Sequence, residues 1–224
     1  MRLSKGSLHT IINLDRFNMA IELPFSQACE RNKDIILETI KPYLRDVNTV
    51  LEVGSGTAQH SIHFSLGMPH IQWQTSDQLE YLEGINAVLD NAKQQYPELS
   101  NVSYPFELDV NQSVWVESGL RYQAIYTANT FHIMRKADVQ EFFLGLSAVT
   151  EPGSYLIVYG PFKYGGEFTS DGNREFDKTL RSREVGSAIR DFEYVSELAI
   201  KQGFKLLDDH SMPANNQCLV WQRA

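Results

Sequence analysis

The chain is short of three things. Cysteine is the first: Cys29 and Cys218 are the only two in 224 residues, and they form no CxxC pair. That excludes a disulfide framework and points to a reducing, cytoplasmic setting. Positive charge is the second, with 20 Lys and Arg against 28 Asp and Glu, a formal net charge of −8. An acidic chain without a basic tract is a poor partner for nucleic acid or an anionic membrane, so neither is expected, although a local basic patch remains compatible. The third lack is any apolar run of transmembrane length. What remains is ample for a core, since 42% of the residues are hydrophobic and the length fits one domain.

Residues 1–18 carry Arg2, Lys5 and Arg16 but no continuous apolar stretch of the kind a secretory signal needs. Met19 opens a second plausible start. Two readings stand for 1–18: a loosely attached extension, or a segment upstream of the true start. The folded domain is expected over residues 19–224.

The rest is organised around Val50-Leu-Glu-Val-Gly-Ser-Gly-Thr-Ala-Gln-His60. Val50 to Val53 reads as a buried parallel strand, Gly54 and Gly56 as a tight turn, and Ala58 to Phe64 as a helix. Strand, glycine turn and helix open a nucleotide-binding βαβ unit, where glycine lets backbone approach a ligand and the helix start offers free N–H groups. The dinucleotide pattern G-x-G-x-x-G breaks at Gln59. What stands instead is Glu52-x-Gly54-x-Gly56-x-Ala58, which resembles the E/D-x-G-x-G-x-G motif of class I S-adenosylmethionine methyltransferases. A carboxylate there suits a cationic ligand better than a pyrophosphate. Ala58 replaces the usual third glycine, which is tolerable if its φ is negative. The plain alternative is a strand–turn–helix with no ligand.

Further elements come in order along the chain. Pro24 to Lys33 leads into an amphipathic helix from Asp34, with Ser26 as N-cap and Pro42 near its end. Arg31 and Asn32 at its start are either solvated or part of a lid. Ile71 to Asp77 reads as the second strand; Asp77 is placed to bind a ribose diol, or else simply to cap. Tyr81 to Gln95 is helical, and Val102 to Val110 is a third strand whose Asp109 and Val110 suit adenine. Asn111 is expected to cap a helix after that strand. Tyr122 to Asn129 is the fourth strand, Asp138 to Thr150 a helix and Tyr155 to Tyr159 the fifth strand. Gly160 to Asn173 reads as the longest loop. Helices over Asn173 to Arg183 and Phe192 to Gln202 precede two last strands, Phe204 to Asp208 and Gln217 to Gln222, joined by His210 to Asn216. The expected fold is an α/β, Rossmann-like three-layer sandwich: a seven-stranded, mostly parallel sheet with an antiparallel C-terminal strand.

Beyond the glycine turn, Phe25-Ser-x-Ala-Cys-Glu-Arg-Asn-Lys, Gln74-Thr-Ser-Asp, Leu108-Asp-Val, Tyr159-Gly-Pro-Phe, Phe176-Asp-x-x-Leu-Arg-x-Arg, Ile189-Arg-Asp and Met212-Pro-Ala-Asn-Asn look like the methyltransferase-like protein 26 family, a domain-of-unknown-function group of class I methyltransferases. The resemblance covers about residues 22–223. It implies a domain that binds S-adenosylmethionine through Glu52, Gly54, Ser55, Gly56, Thr57, Gln59, Asp77, Asp109, Val110 and Asn129. It names no acceptor.

Methyl transfer from a sulfonium needs an in-line acceptor, exclusion of water and sometimes a base. His132, Tyr159 and Asp191 are candidates for that base or for positioning. Against them stand a packed histidine, a core tyrosine and a capping aspartate. Arg31, Asn32, Phe162 and Arg190 are candidates for an acceptor pocket, with Asn215 and Asn216 shaping the hairpin. Such a lining suits a small polar molecule. His60 and His63 share a helix face, but a metal would need a third ligand and none is evident. A binding protein without catalysis shares these cofactor motifs. An NAD-dependent oxidoreductase is disfavoured by Gln59 and Glu52.

Overall fold

The structure, a computed structural model, describes residues 23–116, 119–183 and 186–224. The extension 1–18 and the second start at Met19 lie outside the described residues.

In chain order the elements are α1 (Gln27–Ile40), β1 (Thr49–Val53), α2 (Gln59–Gly67), β2 (Gln72–Asp77), α3 (Leu79–Gln95), β3 (Val102–Glu107), β4 (Ala124–Ala128) and α4 (Lys136–Val149). Then come β5 (Tyr155–Gly160), β6 (Phe162–Tyr164), β7 (Glu167–Phe168), α5 (Asp171–Arg183), β8 (Arg190–Asp191), α6 (Phe192–Lys201), β9 (Phe204–Met212) and β10 (Asn216–Arg223). The main sheet has the order β3-β2-β1-β4-β5-β10-β9. All its pairings are parallel except those of β10, which runs antiparallel to both β5 and β9. This is the mostly parallel sheet with one reversed C-terminal strand that the sequence predicts.

The strands are apolar on both faces, so successive residues feed opposite cores. Leu51, Ile125, Leu156, Val158, Leu219 and Trp221 join α4 and α6 on one side. Val50, Tyr126, Ile157, Cys218 and Val220 join Ile36 and Ile40 of α1 and Phe64 of α2 on the other. A third cluster packs Ala58, Ile85, Leu89 and Val102 between α2, α3 and β3. Full burial of each such aliphatic or aromatic side chain contributes about 1.5–3 kcal/mol. Ser26 caps α1 as predicted, accepting from the Cys29 N–H.

Three local expectations are corrected. The stretch from Gly160 to Asn173 is not a long loop. Its β6 and β7 pair as a hairpin, and β8 joins β6 in parallel to make a second, three-stranded sheet. The segment His210 to Asn216 is mostly strand: β9 continues to Met212, and a 3-10 turn at Pro213–Asn215 reverses the chain with Ala214 and Asn215 at positive φ. No helix starts after Asn111 among the described residues before α4; its amide and side chain instead donate to Asp109 Oδ1, both at 2.9 Å.

Candidate functional site

The glycine turn leaves β1 at the carboxyl edge of the sheet. Gly54 and Gly56 sit at φ 78° and 57°, the left-handed region that glycine enters without steric cost. At Gly54 a side chain is also excluded by space, because a Cβ would meet Thr130 Cγ2 at 2.7 Å. At Gly56 a Cβ would meet nothing within 4 Å, so this turn of backbone faces open space. Ala58 departs from expectation. Its φ is 54°, so it carries the left-handed strain itself, with its methyl fully buried against α3.

Glu52 does not face a ligand. It is 2% exposed, and Oε2 accepts from Ser61 Oγ of α2 and, at 2.9 Å, from Trp73 Nε1 of β2. Burial pushes its carboxyl up to about 7, against the pull of hydrogen bonds from Ser61, Trp73 and Ser55. The expectation of an acid open to a cationic ligand is therefore corrected: Glu52 ties strand, helix and turn together from beneath. Ser55 is spent in the same way, its Oγ accepting from the Ser76 N–H at 3.1 Å.

Asp77 closes the turn from the side. Its Oδ2 accepts from the Gly56 N–H at 2.7 Å and its Oδ1 from the Gln78 N–H at 2.8 Å. Burial raises its pKa and these two bonds lower it. A carboxylate has about four acceptor sites, so two remain for a ligand. The Leu108 N–H donates to Asp77 O at 2.8 Å, which brings Asp109 to the neighbouring strand end. Asp109 is half-buried, whereas Val110 is 7% exposed and belongs to the core with Leu108. The placement of Val110 against adenine is thus corrected, because its side chain is spent on packing.

Over the turn lies α1. Gln59 Oε1 accepts from the Ser26 N–H at 2.6 Å and from Thr57 Oγ1 at 2.9 Å, while its Nε2 donates to Glu30 Oε2 at 3.1 Å. Gln59 therefore clasps the start of α1 to the turn. Beside it, Asn32 Oδ1 meets His60 Nε2 at 2.7 Å. His60 Nδ1 lies 3.4 Å from the Tyr126 hydroxyl. Tyr159 is 2% exposed and hydrogen-bonded to Asn32 and Asn216. This run of polar groups links α1, α2, β4, β5 and β10. Arg31 is exposed.

The fourth strand ends by folding back over the turn. Asn129 takes φ 59° and donates its N–H to Tyr159 O at 2.8 Å. Thr127 Oγ1 donates to Val53 O at 2.8 Å and contacts Thr130 Oγ1 at 2.7 Å. His132 comes next, 8% exposed and edge-on to Phe176 at 5.3 Å. Burial, then Arg190, lowers its pKa to about 4, so it is a neutral imidazole at pH 7.

Two acceptor candidates are structural. Phe162 is 1% exposed in the core with α4 and α6. Arg190 is 8% exposed, and its guanidinium donates to Phe131 O at 3.0 Å, to Gly186 O at 2.7 Å and to Met134 O. Those bonds hold the 131–134 turn, which contradicts the expectation that Arg190 reaches a pocket and leaves the fold unchanged when removed. Asp191 pairs through Oδ2 with Lys163 Nζ at 3.2 Å. Among the described residues no group of three or more His, Cys, Asp or Glu is arranged to hold a metal; His63 Nε2 lies 2.8 Å from Asp34 Oδ1 instead. No described helix is long and apolar enough to cross a membrane.

Sequence reasoning weighed His60 only as a metal ligand and passed over Tyr126, Thr130 and Phe176. Tyr126 was legible, since a tyrosine inside the apolar run of β4 needs a hydroxyl partner once buried. The other two depend on chain segments brought together by the fold.

The sheet order, the reversed β10 and the glycine turn define the Rossmann-like α/β fold of methyltransferases. It is similar to an O-methyltransferase family protein from Burkholderia thailandensis, with a TM-score of 0.74 at 12% identity over 88% of this chain and 57% of that one. Human N-acetylserotonin methyltransferase in complex with SAM matches with a TM-score of 0.71 at 13% identity, over 88% of this chain and 53% of that one. An O-methyltransferase family 2 protein from Planctomyces limnophilus in complex with apigenin matches at 0.66 and 11%, over 86% and 62%. The chain spans little more than half the length of these structures. More particularly, residues 23–223 match the family described as protein of unknown function DUF938, and the chain belongs to that family.

Proposed function

We propose that this protein binds S-adenosylmethionine at the glycine turn and transfers its methyl group to a small polar acceptor. We also place it with the methyltransferase-like protein 26 group, working in the cytoplasm. The observation that carries the reading is the Gly54–Gly56 turn, whose backbone is held by Asp77 while that carboxylate keeps acceptor capacity, with Asp109 alongside. Two adjacent carboxylates repel a pyrophosphate and suit a neutral ribose and adenine beside a cationic sulfonium. The reversed β10 points away from the all-parallel dehydrogenase order as well. The solved structures resembling this chain are described as methyltransferases, one of them with SAM bound.

The roles follow from position. Asp77 takes the ribose diol and Asp109 the adenine amine. The backbone of Gly54, Gly56 and Asn129 lines the cleft, and Gln59 keeps α1 closed across it. When bound, the cofactor supplies an electrophilic methyl group and leaves as S-adenosylhomocysteine. His132, neutral at pH 7, accepts a hydrogen bond from the acceptor near the end of β4. A pKa near 4 makes it a positioning group rather than a strong base.

Native mass spectrometry of the purified protein should find S-adenosylhomocysteine or S-adenosylmethionine, and calorimetry should show the latter binding. Asp77→Ala should weaken that binding by more than ~1 kcal/mol, as loss of a charge-assisted bond does. Affinity for NADH with none for S-adenosylmethionine would reverse the assignment. Binding without turnover across a metabolite pool would instead mark a sensor or partner subunit.

A further inference from the structure

A second concave site lies apart from the glycine turn. It is a cavity of about 250 Å3, lined by Lys136, Lys163, Arg181, Arg190, Asp191 and Tyr194 among others. Four cations face it against one carboxylate, in a chain whose net charge is −8. Such a concentration is not the average surface of an acidic protein. Lys136 is the first residue of α4, and Asp191 is the N-cap of α6. The helices are 14 and 10 residues long, so two positive helix ends add to the same field.

The four cations are not equally committed. Arg190 is used up by backbone carbonyls and forms wall. Lys163 is paired with Asp191 Oδ2. Lys136 Nζ rests 4.4 Å from the centre of the Tyr194 ring, which positions the ammonium without neutralising it. Arg181 gives its Nε to Asp177 Oδ2 at 2.6 Å, one of a guanidinium's five donors. Asp138, close by on α4, is already neutralised by Arg135 through bonds of 2.9 and 2.7 Å. Asp191 supplies the other requirement: its Oδ1 is buried without a hydrogen-bond partner. A buried carboxylate oxygen left alone costs about 1–3 kcal/mol, and a donor from a ligand would remove that cost.

We propose that this cavity binds a small acid that also carries a hydroxyl or amine. The phosphate or carboxylate group lies between Lys136 and Arg181, and the hydroxyl or amine donates to Asp191 Oδ1. The assignment does not depend on methyl transfer, and its test reads binding alone.

Calorimetry at low ionic strength on the full chain would use glycerol 3-phosphate and glycerate, with methyl phosphate and propionate as hydroxyl-free controls. At least one hydroxylated acid should bind, at least tenfold tighter than its control, and which one binds tells phosphate from carboxylate. Lys136→Gln combined with Arg181→Gln should weaken it by tenfold or more; both side chains are largely exposed, so the fold should persist, and a melting curve checks that. Asp191→Asn should erase the preference for the hydroxyl while leaving the controls no weaker. Absence of saturable binding at millimolar concentration, equal affinity for the hydroxyl-free acids, or binding untouched by the double substitution would each overturn the proposal.

Discussion

The glycine turn and the three-stranded sheet are both attached to the carboxyl edge of the main sheet, yet they are held in opposite ways. The turn is fixed from nearby in the chain. Glu52 reaches Ser61 and Trp73, and Asp77 reaches Gly56, over 9 to 21 residues. The second sheet is fixed from far away. Arg190 reaches back 59 residues to Phe131 and 56 to Met134, and β8 pairs with β6 across the whole of α5. A site assembled locally leaves a motif in the sequence. One assembled at long range leaves only isolated polar residues, whose tasks change with the partner they meet. Arg190 illustrates this, being an acceptor candidate by type and a backbone clamp by position.

The largest expected effect tests the distant half. Arg190→Ala removes donors from three carbonyls and should cost about 4 kcal/mol in denaturant unfolding. A cost below about 1 kcal/mol would mean that the 131–134 turn does not need the clamp. Next comes acidity, where the two halves pull against each other. His60 and His132, with pKa values lowered to about 4, are neutral when folded but charged when unfolded between about pH 4 and 6.5. Unfolding then takes up protons, so stability rises with pH across that window, by roughly 3 kcal/mol for each histidine. Glu52, raised to about 7, does the reverse: it keeps its proton when folded, so stability falls from about pH 4.5 to 7. The net curve should climb from pH 4 to 6.5, and Glu52→Gln should steepen the climb. A flat curve in the wild type would show that these groups are not buried as described.

Within the turn the effects shrink. Gly54→Ala combines positive φ with the Thr130 contact and should cost about 2 kcal/mol. Thermal unfolding would measure it, and no loss would mean the turn relaxes freely. Ala58→Gly relieves left-handed strain but deletes a buried methyl. The two effects are each about 1 kcal/mol and nearly cancel, so the melting temperature should move little. A large drop would mean that packing against α3 outweighs the strain.

Much of the core fold was legible. The apolar runs at Val50, Tyr122 and Tyr155 could only be strands buried on both faces, and Gly203 and Pro42 mark helix ends. What was misread shares one cause. Glu52, Val110 and Phe162 carry side chains suited to a ligand, but each is consumed by packing or by buried hydrogen bonds. Residue type does not reveal on which side of a turn a side chain falls. The strands of the second sheet, only two or three residues long, are too short to show a period.

The sequence by itself determined the layered α/β order, the glycine turn and the acids that end the second and third strands, because periodicity and glycine placement act over a few residues. Tertiary structure alone decided that Ala58 is left-handed, that Gln59 clasps α1 and that Arg190 clamps a distant turn. It also gathered Lys136, Lys163, Arg181 and Asp191 around one cavity. Each of these depends on segments far apart in the chain meeting in space, and burial there decides which polar groups are satisfied and which remain for a ligand.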